Sequence, residues 1–582
     1  MSTNRKFNSA KKRYFFARPV PLILCLVALL LASCSNPFGG GKTDTRQPTK
    51  VPPARQTYTI PEVGILDFDT LDPALAHDPS SIQAVQMYTT GLVSLNNQLH
   101  VQPQLAQSWQ LGDDGVTWTF KLKKNLKFSD GTPLTSTDIA YSLNRALLPA
   151  TKSTVAPLYL GLIKDSDQLL AGRIPTLIGD SILTPNKSTI VIITSKPASY
   201  FLSMLTNTCA YVVEKSLIQR YGTNFTDHLN AGGGAGPFKV ATYVHRSHLD
   251  FIPNADYYDP RPQLQKVSLV LYHSQDDAYQ DYLNGKLDET EVPSNQLSSL
   301  SKRKDFKQVP QLWINYYTMN YLAKPFDNIH IRQAFALAID KNAIAKTIWS
   351  NTLLATNHIV PQGMDGYNPQ LTGPDGTQSL SGNPTKAQRL LQQGLQEEHW
   401  TSVTQIPPIH LTYVTGVDSF DQEVQALIQD WQRVLHIQVI ADPVDYTTLL
   451  DRVTAATGNA NGIQMWGLAW VGEYPDLQDW LTHQFGRGST YNNMNYGENT
   501  SATAAIQQEI QKQLAQADAS NNATTRTQLY QQAEQQIIND VGWIPMTQET
   551  TTFLRSSNIV GIVDNGQNII PPDDWATIYR VQ

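Results

Sequence analysis

Cysteine is scarce: among 582 residues only Cys25, Cys34 and Cys209 carry a thiol. The first two lie in or beside an amino-terminal apolar run, so a disulfide framework is excluded, and Cys209 reads as a small buried hydrophobe. That apolar run, residues 20–31, spans 12 residues, short of the roughly 20 a membrane-spanning helix needs. Excess positive charge is missing too, with 44 Lys and Arg against 50 Asp and Glu, which argues against nucleic acid as a partner. Enzyme signatures are equally thin. There is no Gly-x-Ser-x-Gly elbow, no His-Glu-x-x-His and no close Cys and His spacing for zinc. Gly39-Gly40-Gly41-Lys42-Thr43 imitates a phosphate loop, but Asn36 stands where its first glycine belongs. No cofactor, metal or catalytic residue is expected, and no fixed-period repeat marks a solenoid or propeller.

What is present begins with a leader. Arg5, Lys6, Lys11, Lys12, Arg13 and Arg18 precede the apolar run with no acidic residue among them, the layout of a signal peptide over residues 1–34. It ends in Leu31-Ala32-Ser33-Cys34, which resembles a bacterial lipobox in which Cys34 takes the lipid and becomes the first mature residue. Without the six leader cations the balance is 38 against 50, a net charge near −12. Residues 35–56 are rich in Gly, Pro, Thr and Lys and read as a flexible tether, too polar to offset the entropy of ordering.

Beyond residue 57 the chain reads as mixed α and β. Val116, Trp118, Phe120 and Leu122 alternate with Thr117, Thr119, Lys121 and Lys123, a half-buried strand entered from the turn Gly112-Asp113-Asp114-Gly115. Thr135 and Asp138 form a capping box ahead of Ile139, Leu143 and Leu147. Further helices are predicted over 331–339, 342–349, 385–398, 420–435 and 503–538, and strands over 266–272, 409–414, 437–440 and 464–470. His245 and His248 read as a surface pair in a strand-and-turn region.

The order of motifs resembles family 5 of the bacterial extracellular solute-binding proteins, the oligopeptide and dipeptide-binding proteins of ABC importers. It is carried by Leu71-Asp72-Pro73, by Pro103 through Trp109, by the dense block from Asp114 to Asp138 containing Ser129-Asp130-Gly131-Thr132-Pro133, and by Gly234-Ala235-Gly236-Pro237-Phe238. Asn254 through Tyr258, Ile331 through Asp340, and Trp470-Val471-Gly472-Glu473-Tyr474-Pro475-Asp476 continue it. The resemblance implies an α/β, two-lobed periplasmic-binding-protein fold of the class II type with an additional inserted domain. The first lobe's core would be split over 57–95, 236–312 and 549–582, the inserted domain would hold 96–235, and the second lobe 313–548.

The resemblance also implies a site. In peptide-binding relatives an Asp soon after a Trp pairs with the ligand's free amino terminus, and Glu473 stands at that position here, one methylene longer. The backbone of Val471 and Gly472, facing a segment containing Asp78 and Pro79, is expected to pair with ligand main chain as an added strand, with Trp470 and Tyr317 walling side-chain pockets. Some relatives carry an Arg before the Trp for the ligand carboxylate, whereas Met465-Trp466-Gly467-Leu468-Ala469 has no cation. The implied partners are a short peptide, an ABC permease with its ATPase, and the membrane through the lipid anchor. The protein is expected to be a monomer on the extracytoplasmic side. A nickel-chelate or sugar ligand stays open, as does a peptide-sensing or chaperone-like lipoprotein.

Overall fold

The computed structural model describes residues 49–582; the leader, Cys34 and the first part of the tether lie outside them. Residues 49–56 depart from the expected tether. Val51 is buried, its N–H donates to the Arg580 carbonyl at 3.1 Å, and the Gln56 side-chain amide donates to the carbonyls of Val51 and Arg580. One buried amide thus fastens this stretch to the carboxyl terminus, because each buried carbonyl needs a donor. Among the described residues no helix is long and apolar enough to cross a membrane.

The elements used below run β1 (Thr57–Val63), α1 (Pro79–Tyr88), β2 (Ala106–Leu111), β3 (Thr117–Leu122), α2 (Ser136–Ala146), α3 (Ala156–Leu160), β4 (Ile182–Asn186), β5 (Thr189–Ile193), β6 (Phe238–Val244), β7 (His248–Pro253) and β8 (Lys266–Tyr272). Next come β9 (Glu289–Glu291), β10 (Phe306–Met319), α4 (Ile329–Leu337), α5 (Pro384–Glu397), β11 (Ile409–Val414), α6 (Asp418–Leu435) and β12 (Val439–Val444). The chain then continues through α7 (Tyr446–Thr454), β13 (Met465–Val471), α8 (Leu477–Trp480), α9 (Thr482–Phe485), α10 (Ala504–Ala519), α11 (Ala523–Asn539) and β14 (Ile544–Arg555).

Three sheets organise them. The first has the order β1-β8-β7-β6, with β1 and β8 parallel, and buries Tyr58, Ile60, Phe238, Phe251, Val267 and Leu269. His245 and His248 flank its β6–β7 turn, and exposed His245 holds Asp67 at 2.8 Å. The second sheet, β2-β3-β5-β4, is antiparallel. The alternation in β3 buries Trp118, Phe120 and Leu122, and Gly115 takes a positive φ of 70° in the turn before it, a conformation glycine adopts without steric cost. The capping box of α2 is formed, with Asp138 accepting from the Thr135 N–H at 2.8 Å. Cys209 is buried in this second core, and burial pushes its thiol pKa up.

The third sheet follows β9-β14-β10-β13-β11-β12. On one face α4, α5 and α6 pack Phe335, Leu391, Leu427 and Trp431. On the other, Trp466, Trp480, Phe485, Leu514, Tyr530 and Trp543 form a second core. The long helix predicted over 503–538 is two helices: Asn522 caps α11 by accepting from the Thr525 N–H at 2.9 Å, so the Ser520-Asn521-Asn522 stretch ends one helix and starts another. The strand predicted from 437 begins at Val439, since His436 ends α6 with φ 59°. Borders proposed at 312/313 and 548/549 fall inside β10 and β14, beside a register shift between Pro310 and Ile314.

Candidate functional site

The site grows from an incomplete ladder. β13 pairs antiparallel with β10 along its whole length, from Trp313 opposite Val471 to Met319 opposite Met465. On its other flank it meets β11 only at Leu411–Met465 and Thr412–Trp466, so beyond these pairs its far half has a partner on one side alone. The hydrogen-bond phase tells which groups are left over. Gly472 N–H donates to the Leu312 carbonyl and Asn320 N–H to the Gln464 carbonyl, both at 2.9 Å. Antiparallel residues alternate in direction, so Leu468 and Trp470 also bond toward β10, while Ala469 and Val471 turn N–H and C=O to the open flank.

Side chains obey the same alternation. Gly467 lies beneath the Tyr317 ring, where a Cβ would sit 2.7 Å from Tyr317 Cε1. Tyr317 itself is core, its hydroxyl donating to Glu423 of α6 at 2.9 Å; it does not wall a pocket, because its ring is spent covering Gly467. β11, β12 and β13 are mutually parallel, and ligands of such sheets settle outside the carboxyl ends of their strands. Exposed apolar side chains lie at or just past those ends: Val417 at 49%, Tyr446 at 59% and Val471 at 52% exposure.

Past β13 the chain turns sharply. Gly472 lies against Trp480, which leaves a Cβ only 2.9 Å from the ring, and its amide is already bound to Leu312, so Gly472 offers a ligand no donor. Glu473 follows, half-buried. Asp479, with 0% exposure, holds the turn from below: its Oδ2 accepts from the Glu473 N–H at 3.0 Å and from the Trp470 indole N–H at 3.2 Å. Its Oδ1 lies 3.2 Å from His483 Nδ1. Burial pushes the Asp479 pKa up to about 6, against the pull of His483 and the two donors. Trp470 is half-buried, edge-on to His483 and Tyr491 at 5.5 and 5.2 Å between ring centroids.

The second sheet's domain supplies the remaining group. Tyr159 of α3 donates its hydroxyl to both the carbonyl and Oε2 of Glu473, at 2.9 and 3.0 Å. Glu473 Oε1 makes no hydrogen bond among the described residues. Next in sequence, Tyr474 is 4% exposed and packs into the second sheet's core, parallel to Tyr200 and edge-on to Tyr159. Asp476 pairs with Arg526 and accepts from Ser203 at 3.3 Å.

The structure places Trp470, Val471 and Glu473 along one strand end and its turn, and makes Asp78 and Pro79 the start of a helix. Asp78 caps α1 by accepting from the Ser81 N–H at 2.9 Å, and Pro79 opens that helix without an N–H to give. Neither lies on a strand, and no hydrogen bond or ion pair joins them to Glu473 among the described residues. Asp69, His77 and Asp78 each bring a ligand atom within 4.8 Å of the others, on a mostly exposed rim. Sequence reading missed Tyr159, Asp479, His483 and the outward amide of Ala469. Only the four-residue spacing of Asp479 and His483 on neighbouring helical turns is visible along the chain; Tyr159 lies 314 residues from its partner.

An open strand edge thus ends at Glu473, whose carboxylate meets a tyrosine hydroxyl from α3. The family described as bacterial extracellular solute-binding proteins, family 5, middle region, matches residues 100–492, and the chain belongs to that family. The oligopeptide-binding protein OppA of Bacillus subtilis (strain 168) is 24% identical over 572 residues, covering 96% of this chain and 98% of OppA. The periplasmic murein peptide-binding protein MppA of Escherichia coli (strain K12) is 26% identical over 532 residues, covering 88% and 91%. The unliganded open form of MppA has the same fold, with a TM-score of 0.78 at 23% identity over 92% of this chain and 99% of that one.

Proposed function

We propose that this protein is the lipid-anchored receptor of an ABC importer, capturing a short peptide by its main chain and free amino terminus and delivering it to the permease. The observation that carries the reading is the open flank of β13 ending at Glu473. Ala469 and Val471 present main-chain donors and acceptors to an extended segment, a mode that reads backbone rather than side-chain identity. Glu473 Oε1 stands at the end of that edge to receive an ammonium, Tyr159 orients the carboxylate from the other side, and the apolar rim of Val417, Tyr446 and Trp470 suits ligand side chains. The names of OppA and MppA, an oligopeptide and a murein-peptide binder, agree with it.

Contacts from both lobes favour the closed form in proportion to the differential affinity they create. Retention at the membrane rests on Leu31-Ala32-Ser33-Cys34, outside the described residues; a lipid with two or more chains gives stable anchoring where one does not. Titration calorimetry with a short peptide and its amino-acetylated form tests the reading. Glu473→Gln should weaken the free-amino peptide about 10- to 100-fold, the worth of a hydrogen bond to a charged group, and acetylation should weaken binding to the unaltered protein comparably. Equal affinities for all pairs would refute the ammonium role.

A further inference from the structure

The carboxylate of Asp479 is spent on the two residues that face the ligand edge. One oxygen, Oδ2, takes the Glu473 backbone N–H at 3.0 Å and the Trp470 indole N–H at 3.2 Å; the other, Oδ1, faces His483 Nδ1 at 3.2 Å. The His483 ring in turn stands edge-on to Tyr491, at 4.4 Å between centroids, and to Trp470. A carboxylate with 0% exposure carries a desolvation penalty that packing alone would not require, since an apolar residue would fill the same space at no such cost. Its position, bonded to both site residues and backed by an imidazole, gives that penalty a use.

We propose that Asp479, paired with His483, is a positioning residue that fixes Glu473 and Trp470 for capture of a cationic amino terminus and makes that capture weaken in acid. The proposal rests on the ammonium role of Glu473. An ammonium seated on Glu473 adds positive charge next to the residue whose N–H Asp479 holds at 3.0 Å, so the bound state favours the charged form of Asp479 and holds fewer protons than the free state. Affinity then rises with pH through the range in which Asp479 ionises, around 6. Below it a neutral carboxyl attracts the ligand less and accepts more weakly from both N–H groups.

The tyrosines around Asp479 do not supply this response. Tyr159 faces it from α3, Tyr474 from the turn and Tyr491 from the segment after α9, and the Tyr159 and Tyr474 hydroxyls are driven far upward by burial and by neighbouring carboxylates. Asp476, next to it on the turn, is committed to Arg526. Among the described residues no Lys or Arg pairs with Asp479, and the imidazole of His483 is the group set against its Oδ1.

The test is calorimetry with a free-amino peptide from pH 5 to 8 on the full chain and on Asp479→Asn, His483→Gln and Glu473→Gln variants. The unaltered protein should lose affinity about three- to tenfold between pH 7.5 and 5. Asp479→Asn should bind at least about fivefold more weakly at pH 7.5 and show a flattened profile. His483→Gln removes the neighbour that holds the carboxylate ionised, so its profile should keep its shape with the midpoint moved to higher pH. This variant carries the test if Asp479→Asn does not fold. Loss of affinity in Glu473→Gln, with both other variants matching the unaltered profile, would overturn the positioning role while leaving the ammonium role intact. Unchanged affinity in Glu473→Gln would remove both.

Discussion

Glu534 of α11 shows how single ionisable groups are used away from the site. It is 0% exposed, its Oε1 accepts from the Ile359 and Val360 N–H groups at 3.0 Å each, and its Oε2 has no hydrogen-bond partner among the described residues. Burial pushes its pKa up to about 7 from an ordinary 4.5. Between those values the folded chain keeps a proton the unfolded chain has released, so this group's contribution to stability falls as pH rises from about 4.5 to 7 and is level above. Glu534→Gln keeps the acceptor and removes the buried charge. Its denaturation free energy should therefore change less than that of the unaltered protein between pH 5 and 8, and exceed it at pH 8 by roughly 1–3 kcal/mol. Identical pH profiles for the two would contradict the assignment. The group was not legible beforehand: Glu534 sits in a polar, Gln-rich helix, and only the arrival of 359–360 against it makes it buried.

At the scale of the element, β13 is a strand whose two flanks have different jobs. A proline at 469 would remove an N–H that faces the open side, whereas a proline at 468 would remove one bonded to β10; proline is tolerated in sheets where the missing donor faces no partner. Ala469→Pro should leave the unfolding midpoint nearly unchanged and reduce peptide affinity at least tenfold. Leu468→Pro should cost about 3 kcal/mol or more of stability. Thermal unfolding and calorimetry on both variants check the phase, and a reversed pattern would place the ligand edge on the wrong residues. The motif around Trp470 was readable from residue types, and so was most of the strand. The resemblance implied an added strand at Val471, but the extent of the open edge back to Ala469 was not readable, because it exists only where β11 parts from β13 after Thr412. Asp78 and Pro79 start a helix for a local reason: an Asp followed by Pro suits that position, Asp accepting the early amide and Pro needing none.

At the scale of the whole molecule, the second sheet's domain and the third sheet's are joined through Tyr474. Its ring completes the core that holds Trp118, Phe120 and Cys209, while its backbone belongs to the turn carrying Glu473. Ser199 adds to the joint, donating through its N–H and hydroxyl to the Asp518 carbonyl at 3.0 and 2.9 Å. Tyr474→Ala should cost roughly 3–5 kcal/mol by leaving a cavity in that core, with amides of β3 and β5 losing exchange protection. Tyr474→Phe, which keeps the ring and loses only the hydroxyl's bond to Gln478, should cost about 1 kcal/mol. Equal losses in the two variants would mean that ring packing does not hold the joint.

The sequence alone determined whatever depends on neighbours along the chain: the capping box at Thr135 and Asp138, the alternation of β3, the turn at Gly115, the strands at 266–272 and 409–414, and a family resemblance built on collinear motifs. These follow from period, propensity and local hydrogen bonding, which act over a few residues. Only the tertiary structure decided that Glu473 is held by a tyrosine from another domain, that Asp479 is buried beneath it, that Tyr317 is core and that residues 49–56 are fastened to the carboxyl terminus. Each of these depends on desolvation or on a partner hundreds of residues away, and neither burial nor a distant partner leaves a period in the chain.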